Sequence, residues 1–168
     1  MTRADRERLF HELLADNQSR IQRLCYGYLG PCGEVDDLFQ EIMVNLWNAL
    51  PGFRGEARAS TWLYRIAVNT ALIYRRKRRT TEPLPDLRDP ACSPHQSLED
   101  EERLTALRAA IATLPDQDRV VVTLLLEGLS YKEISEITGL TVNYVGVKIS
   151  RVKQVLEELL TEAHHDTV

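Results

Sequence analysis

Apolar residues recur along most of this chain at the three- and four-residue spacing of an amphipathic helix. Glycines and prolines interrupt the pattern, as in the stretches Leu29 to Gly33 and Pro51 to Ala59. Helices are predicted over about Asp5 to Tyr28, Val35 to Ala49, Ser60 to Arg79, Leu98 to Thr113 and Pro115 to Glu127, and in two further segments between Ser130 and Glu162. Ser60 or a neighbour is expected to cap the third helix. The pattern predicts an all-α fold.

The helical pattern is lost between Thr80 and about Ser97, where no apolar periodicity remains. Three of the seven prolines fall between Pro85 and Pro94. This composition is typical of an extended, flexible tether. We therefore predict two small helical domains, residues 1–82 and 98–168, joined by a flexible linker over residues 83–97.

The second domain contains the punctuation of a helix-turn-helix between Leu129 and Val152. Ser130 followed by Glu133 forms a capping box ahead of an apolar run, and Gly139 supplies the turn. The inward face of the second helix is expected to carry Val145, Ile149, Val152 and Leu156. Its outward face carries small and cationic residues, which a DNA major groove accepts. Two packed helices of an ordinary bundle are the alternative interpretation.

Charge is distributed unevenly in this chain of 168 residues, whose net charge is −4. Five consecutive cations run from Arg75 to Arg79, whereas the acids Glu34, Asp36, Asp37 and Glu41 cluster near the start of the second helix. Separate basic and acidic faces suit a protein that addresses DNA with one and a basic protein with the other. Acids in a first helical turn also stabilise the helix dipole, so local stability is the alternative explanation.

The outer face of the third predicted helix carries Arg65, Asn69, Leu72 and Arg76 at helical spacing. An asparagine between arginines is a reasonable base-contacting group between phosphate contacts. A neutral surface asparagine is the other interpretation. Trp62 falls on the inner face and is expected to belong to the core.

Several functional classes are disfavoured by the composition. No run of about 18 apolar residues indicates a membrane span, and the charged N-terminus lacks the apolar centre of a signal peptide, so we expect a cytoplasmic protein. The three cysteines include no CxxC pair and are read as plain thiols. The sequence has no phosphate-binding glycine loop, HExxH motif or nucleophile elbow. We expect no enzymatic activity, metal, cofactor or small-molecule substrate.

Taken in order, four stretches resemble the extracytoplasmic-function (ECF) group of bacterial RNA polymerase sigma factors. They are DDLFQEIMVNLW (Asp36 to Trp47), FRGEARASTWLYRIAVNTA (Phe53 to Ala71), LPDQDRVVVTLLLEGLSYKEISEITGL (Leu114 to Leu140) and VGVKISRVK (Val145 to Lys153). The resemblance covers nearly the whole chain. It implies an alternative sigma factor that binds core RNA polymerase and reads two promoter elements with two helical domains.

The resemblance also implies roles for particular residues. The polymerase β′ clamp helices would be bound by Asp36, Asp37, Gln40 and Glu41. The downstream promoter element would be opened and read by Phe53, Arg54, Gly55, Arg65, Asn69, Arg75, Arg76 and Lys77. The upstream element would be read by Gly146, Val147, Lys148, Ser150, Arg151 and Lys153. The helix from Val120 to Leu126 would help form the groove for the β flap, and an anti-sigma factor is a further expected partner.

Some positions depart from the family pattern. Gly146 and Val147 stand where many relatives carry arginine and serine, so the resemblance implies an upstream readout that leans on shape and apolar contacts. The sequence is also compatible with two alternative functions. One is a stand-alone helix-turn-helix regulator, and the other is an interaction protein that sequesters a partner through its acidic first domain. The stand-alone regulator leaves the acidic cluster and the FRG loop without a role.

Overall fold

The computed structural model describes residues 2–30, 34–81 and 98–165, and every regular element in these ranges is helical. The elements are α1 (Arg3–Leu29), α2 (Val35–Ala49), a 3-10 turn (Leu50–Gly52), α3 (Ala59–Thr81), α4 (Leu98–Thr113), α5 (Asp116–Leu126), α6 (Tyr131–Thr138) and α7 (Val142–His165). The predicted all-α class is confirmed. The predicted linker, residues 83–97, lies outside the described residues.

Local signals set the ends of the helix-turn-helix formed by α6 and α7. The Ser130 side chain accepts a hydrogen bond from the Glu133 N–H at 3.2 Å, and Glu133 accepts from the Ser130 N–H at 2.9 Å. Gly139 ends α6 with φ of 77°, a left-handed conformation that glycine adopts without a steric penalty. The predicted capping box and turn are therefore confirmed.

The start of α3 differs slightly from the expectation of a cap at Ser60. The helix begins at Ala59, and the Arg58 carbonyl already accepts from the Trp62 N–H at 3.0 Å. Ser60 consequently lies in the first helical turn, and the chain enters the helix one residue earlier than predicted.

Helices α1, α2 and α3 pack together as an N-terminal unit. Their inward stripes are fully buried at residues such as Ile21, Leu38, Ile42, Leu46 and Leu63. Burial of large aliphatic side chains stabilises such a bundle by about 1.5–3 kcal/mol each. The second and third of these helices present their polar residues outward, which positions the candidate site.

Helix α5 is the centre of the C-terminal unit, which comprises α4 to α7. Val120, Val121 and Leu124 are buried, whereas Leu126 remains 60% exposed. Most of this apolar segment is therefore buried as the central helix of the unit, and its C-terminal end is exposed. The predicted inward residues of α7 are also buried: Val145, Ile149, Val152 and Leu156.

The two units pack against each other through α1 with α5 and α3 with α6. One core cluster of buried residues is continuous across both units. The Thr123 side chain of α5 approaches α1 closely at Gly27, where an added Cβ would lie 2.8 Å from Thr123 Cγ2. Within the described ranges, no helix combines the length and apolar character needed to cross a membrane.

Candidate nucleic-acid interface

Four residues form an acidic edge on α2: Asp36, Asp37, Gln40 and Glu41. Asp36, Asp37 and Gln40 are exposed and Glu41 is half-buried. Leu38 and Ile42, which alternate with them on the inner side, are fully buried. The stripe that anchors α2 thus turns the acidic edge outward, where a basic partner can reach it.

The acidic edge borders the cationic C-terminal part of α3. Lys77 Nζ lies 3.9 Å from Glu41 Oε1, and the Arg78 guanidinium pairs with the Glu34 carboxylate. Because Lys77 is 70% exposed, its contact with Glu41 contributes little to stability. The structure therefore places the predicted polymerase-binding and DNA-binding residues side by side on one unit.

The outer face of α3 presents Arg65, Asn69 and Arg76 to solvent, with Leu72 half-buried between them. Asn69 is the centre of this face, and its side chain makes no hydrogen bond to another described residue. An exposed amide offers both a donor and an acceptor to a base edge. The arrangement is the one predicted from the helical spacing.

The loop before α3 is fastened by an aromatic contact. The Phe53 ring lies 4.7 Å, centre to centre, from the Trp62 ring at an interplanar angle of 43°. Trp62 is half-buried and packs against the core cluster, so the expectation that it belongs to the core is met in part. Arg54 and Gly55 stay exposed, and Gly55 adopts φ of 72°, which favours glycine.

Three arginines of α3 are engaged by the C-terminal unit. Arg65 Nε donates to the Glu136 carbonyl oxygen at 2.7 Å. Arg79 donates to both Asp116 oxygens, at 3.0 and 3.1 Å, and Arg75 Nε lies 3.3 Å from Asp116 Oδ1. Two predicted DNA contacts, Arg65 and Arg75, are therefore held by intramolecular partners in this arrangement.

A buried arginine joins the two units beneath these pairs. Arg119, only 4% exposed, donates to the Tyr28 carbonyl oxygen at 3.1 Å and also to the Ala112 carbonyl. Its guanidinium carbon lies 5.8 Å from the centre of the Tyr28 ring. Burial is the main reason that the pKa of Tyr28 is raised to about 12, so the phenol is neutral at physiological pH.

The outer face of α7 carries the predicted upstream-element residues. Val147, Ser150, Arg151 and Lys153 are exposed, and Gly146 is half-buried. The Arg151 side chain forms no ion pair or hydrogen bond with the rest of the described chain. Lys148 differs, because its ammonium lies 2.5 Å from Asp118 Oδ1 and its side chain is 12% exposed.

The described residues contain no group of three or more histidine, cysteine or acidic side chains arranged to hold a metal ion. Cys25 is a buried free thiol, and burial raises its pKa to about 12. It is therefore protonated and unreactive at neutral pH. Cys32 and Cys92 lie outside the described residues.

Four residues that matter in the structure were not singled out by sequence reasoning: Asp116, Asp118, Arg119 and Tyr131. The two aspartates stand in the first turn of α5, where an acid is explained by the helix dipole alone. An arginine just before an apolar run carries no sign that it will be buried. The sequence signal for Tyr131 is Gly146 in the second helix of the helix-turn-helix, because a glycine leaves a neighbouring side chain uncovered.

Comparison with protein families gives two matches on the chain. The model described as "Sigma-70 region 2" matches residues 13–81, and the model described as "Sigma-70, region 4" matches residues 104–156. The first range contains α2 and α3, and the second contains the helix-turn-helix.

Relatives and solved structures agree with these matches. The chain is 32% identical to the ECF RNA polymerase sigma-E factor of Escherichia coli K12, over 90% of this chain and 86% of that protein. The Haemophilus influenzae protein of the same name is 31% identical, over 90% and 87%. CnrH, solved in complex with the cytosolic domain of CnrY, superposes with a TM-score of 0.70 at 25% identity, covering 93% of this chain and 90% of that one. The sigma factor RpoE of Bartonella quintana, solved with the anti-sigma factor NepR, shares the fold with a TM-score of 0.71 at 21% identity, over 90% and 96%.

Proposed function

The chain belongs to the ECF family of RNA polymerase sigma factors, and we propose a role for each of its exposed faces in that function. It is an alternative sigma factor that directs promoter-specific transcription initiation by core RNA polymerase. The observation that carries the assignment of roles is the order of the two matched regions on one chain, each with its own exposed polar face.

Residues 1–82 form the domain that binds polymerase and opens the promoter, 83–97 the linker, and 98–168 the domain that reads the upstream element. The acidic edge of α2 binds the β′ clamp helices. Its exposed carboxylates support this role, because complementary charge increases encounter rate and specificity between partners. The exposed end of α5 at Leu126 contributes to the groove for the β flap.

Helix α3 and the loop from Phe53 to Gly55 open and read the downstream element. Asn69 is exposed between two arginines and can hold an unstacked base of the opened strand. Capture of that base stabilises the melted state, because duplex DNA offers no such base. Arg54, Arg65, Arg75, Arg76 and Lys77 contact phosphates and make binding salt-dependent.

The helix-turn-helix reads the upstream element with α7. Arg151 is the residue that reaches a base edge, since its guanidinium is exposed and has no partner within the described chain. Gly146, Val147 and Ser150 shape the contact surface, and Lys153 contacts a phosphate. Lys148 can do the same only after leaving Asp118.

Engagement of both promoter elements requires the two units to separate. Arg75 is half-buried against Asp116, and Arg65 Nε is occupied by the Glu136 carbonyl oxygen, so neither guanidinium is fully available to a phosphate in this arrangement. The cost of separation is offset by polymerase contacts with both units, and the linker then keeps the second domain at high effective concentration near its element. An anti-sigma factor is a further proposed partner, and the solved complex of RpoE with NepR supports it. The protein works in the cytoplasm and catalyses no reaction of its own.

Run-off transcription with purified core polymerase tests the function. We expect a specific transcript from cognate DNA only when this protein is present. The absence of any promoter-specific transcript, despite binding to DNA, would instead support the stand-alone regulator.

Two variants separate the assigned roles. Asp37→Lys should weaken core-polymerase binding at least tenfold, because it reverses a charge on the acidic edge, while DNA binding by the free protein is unchanged. Asn69→Ala should leave polymerase binding intact and reduce the fraction of open complexes, measured by permanganate reactivity of unpaired thymines. Equal loss of polymerase binding and opening in Asn69→Ala would contradict its role.

A further inference from the structure

The outer face of α7 is apolar in its first two turns. In a helix-turn-helix, this part of the second helix enters the major groove of DNA. Val147 and Tyr144 are 45% and 43% exposed. The neighbouring cation, Lys148, is held between Asp118 Oδ1 at 2.5 Å and the Tyr144 ring, whose centre lies 5.2 Å from its Nζ. The exposed groups at this level of the helix are thus mainly apolar.

Gly146 explains how a residue of α6 joins this face. A Cβ at Gly146 would lie 3.6 Å from Cε2 of Tyr131, so the Tyr131 ring lies directly beside the bare backbone of α7. The glycine has an ordinary helical φ, so its backbone conformation does not require glycine. A long side chain at this position would cover the ring, whereas glycine leaves Tyr131 39% exposed.

We infer that Tyr131 and Val147 form a methyl-reading patch, which recognises thymines of the upstream element through their C5-methyl groups. The inference rests on the proposed function and adds a specificity-determining residue, Tyr131, to it. In the major groove, the thymine methyl is the apolar group that an apolar side chain can contact. Specificity at these positions comes from burial of a methyl group rather than from a bidentate hydrogen bond.

The surroundings of the patch identify DNA as its partner. Lys132 follows Tyr131 in the chain and Arg151 lies one helical turn beyond Val147, and both are exposed. A small apolar centre with a cationic rim matches a groove, in which methyl groups lie between two rows of phosphates. The capping box of Ser130 and Glu133 fixes the first turn of α6 and hence the position of Tyr131.

Replacement of single thymines by deoxyuridine tests the patch, because it removes the methyl group and leaves base pairing intact. The measurement is holoenzyme binding, with the full-length chain and core polymerase, to a promoter identified by mapping transcript starts. Loss of one buried methyl corresponds to about three- to fivefold weaker binding. We expect that loss at one or two upstream thymines and no change at the other positions.

Variants assign the effect to the patch. Val147→Ala should bind the thymine promoter more weakly and lose discrimination between thymine and deoxyuridine at one position. Tyr131→Ser should lose discrimination between thymine and deoxyuridine at the second position. Tyr131→Phe keeps the ring and should retain this discrimination. Val155→Ala is the matched control, because this valine of α7 is 41% exposed and lies outside the patch.

The outcomes separate the inference from the function on which it rests. Specific transcription with equal binding to thymine and deoxyuridine at every upstream position overturns the patch and leaves the sigma-factor role intact. An upstream element that contains no thymine would also overturn the patch and leave the sigma-factor role intact. Equal loss of discrimination in Val155→Ala and Val147→Ala also overturns it. No promoter-specific transcript overturns both.

Discussion

The two helices that carry the predicted DNA contacts, α3 and α7, differ in what holds their cations. On α3, Arg65, Arg75 and Arg79 are engaged by the other unit of the molecule. On α7, Arg151 is exposed, and the cation that is held, Lys148, finds its partner within the same unit. The proposed DNA-contacting cations of α3 are thus coupled to the packing of the two units, and those of α7 are not.

The coupling has a physical consequence for the order of binding. A phosphate contact of Arg75 would replace its ion pair with Asp116, whereas Arg151 on α7 can meet DNA without breaking a contact between the units. Substitutions at the junction between the units should therefore affect α3 and leave α7 unchanged.

Removal of Arg119 should have the largest effect. Arg119→Ala leaves the buried carbonyl of Tyr28 without its donor and opens a cavity where α1 meets α5. We expect a loss of about 2–4 kcal/mol in the free energy of unfolding, measured by urea denaturation.

Arg23→Ala is the matched control for Arg119→Ala, because Arg23 also joins α1 to the C-terminal unit. Its guanidinium lies 3.0 Å from Glu127 but is 58% exposed, so we expect a much smaller loss of stability than in Arg119→Ala. Similar losses in the two variants would show that burial does not govern the junction.

Gly27→Ala should push the two units apart. The added methyl would lie 2.8 Å from Thr123 Cγ2, and we expect overpacking to cost about 1–3 kcal/mol, although alanine favours the helix. Hydrogen exchange should rise where α1 and α5 meet, with no rise in α7.

The double variant Gly27→Ala with Thr123→Ser is the internal control. Serine lacks the Cγ2 methyl, so the clash is removed and the free energy of unfolding should recover. Failure of the double variant to recover would mean that the close approach is not the source of the destabilisation.

Ser130→Ala should weaken the helix-turn-helix alone, by about 1 kcal/mol. Hydrogen bonds from the Ser130 backbone and side chain lower the pKa of Glu133, so this carboxylate stabilises the fold above its unfolded pKa near 4.5. The stabilisation is lost as pH falls through the lowered pKa. The difference between wild type and Ser130→Ala, measured by urea denaturation, should therefore shrink below about pH 4.5 and be constant near neutral pH.

Asp116→Asn should have the smallest effect on stability and a visible effect on DNA binding. It removes the charge that Arg75 and Arg79 share, at a cost of about 0–1 kcal/mol. Freed arginines should strengthen binding to duplex DNA a few-fold and steepen the dependence of log affinity on log salt by about 0.9 for each new phosphate contact. Asp118→Asn, which frees Lys148 instead, is the comparison on α7. An unchanged salt slope in Asp116→Asn would contradict the coupling.

Most of the fold was predictable because its signals are local. The 3.6-residue period located each helix to within a few residues, and Ser130, Glu133 and Gly139 marked the helix-turn-helix by residue type. The family resemblance is confirmed, and with it the sigma-factor function. The roles of individual residues in polymerase and DNA binding stay predictions.

The contacts between the units could not be predicted from the sequence. Arg65 donates to a backbone carbonyl 71 positions away, and every residue offers such an acceptor. Asp116 and Asp118 look alike in the sequence, yet one holds α3 and the other holds α7. Only the packing of α5 against its neighbours distinguishes them.

The ion pairs of Asp116 with Arg75 and Arg79 affect how strongly the free chain is attracted to DNA in a cell. Two carboxylate oxygens hold Arg75 and Arg79 much as a phosphate would, so part of the cationic surface of the free chain is already neutralised. A chromosome offers about a million or more competing non-specific sites. Because these ion pairs should lower the attraction of the chain to all such sites, we expect more copies to stay in solution, available to collide with core polymerase.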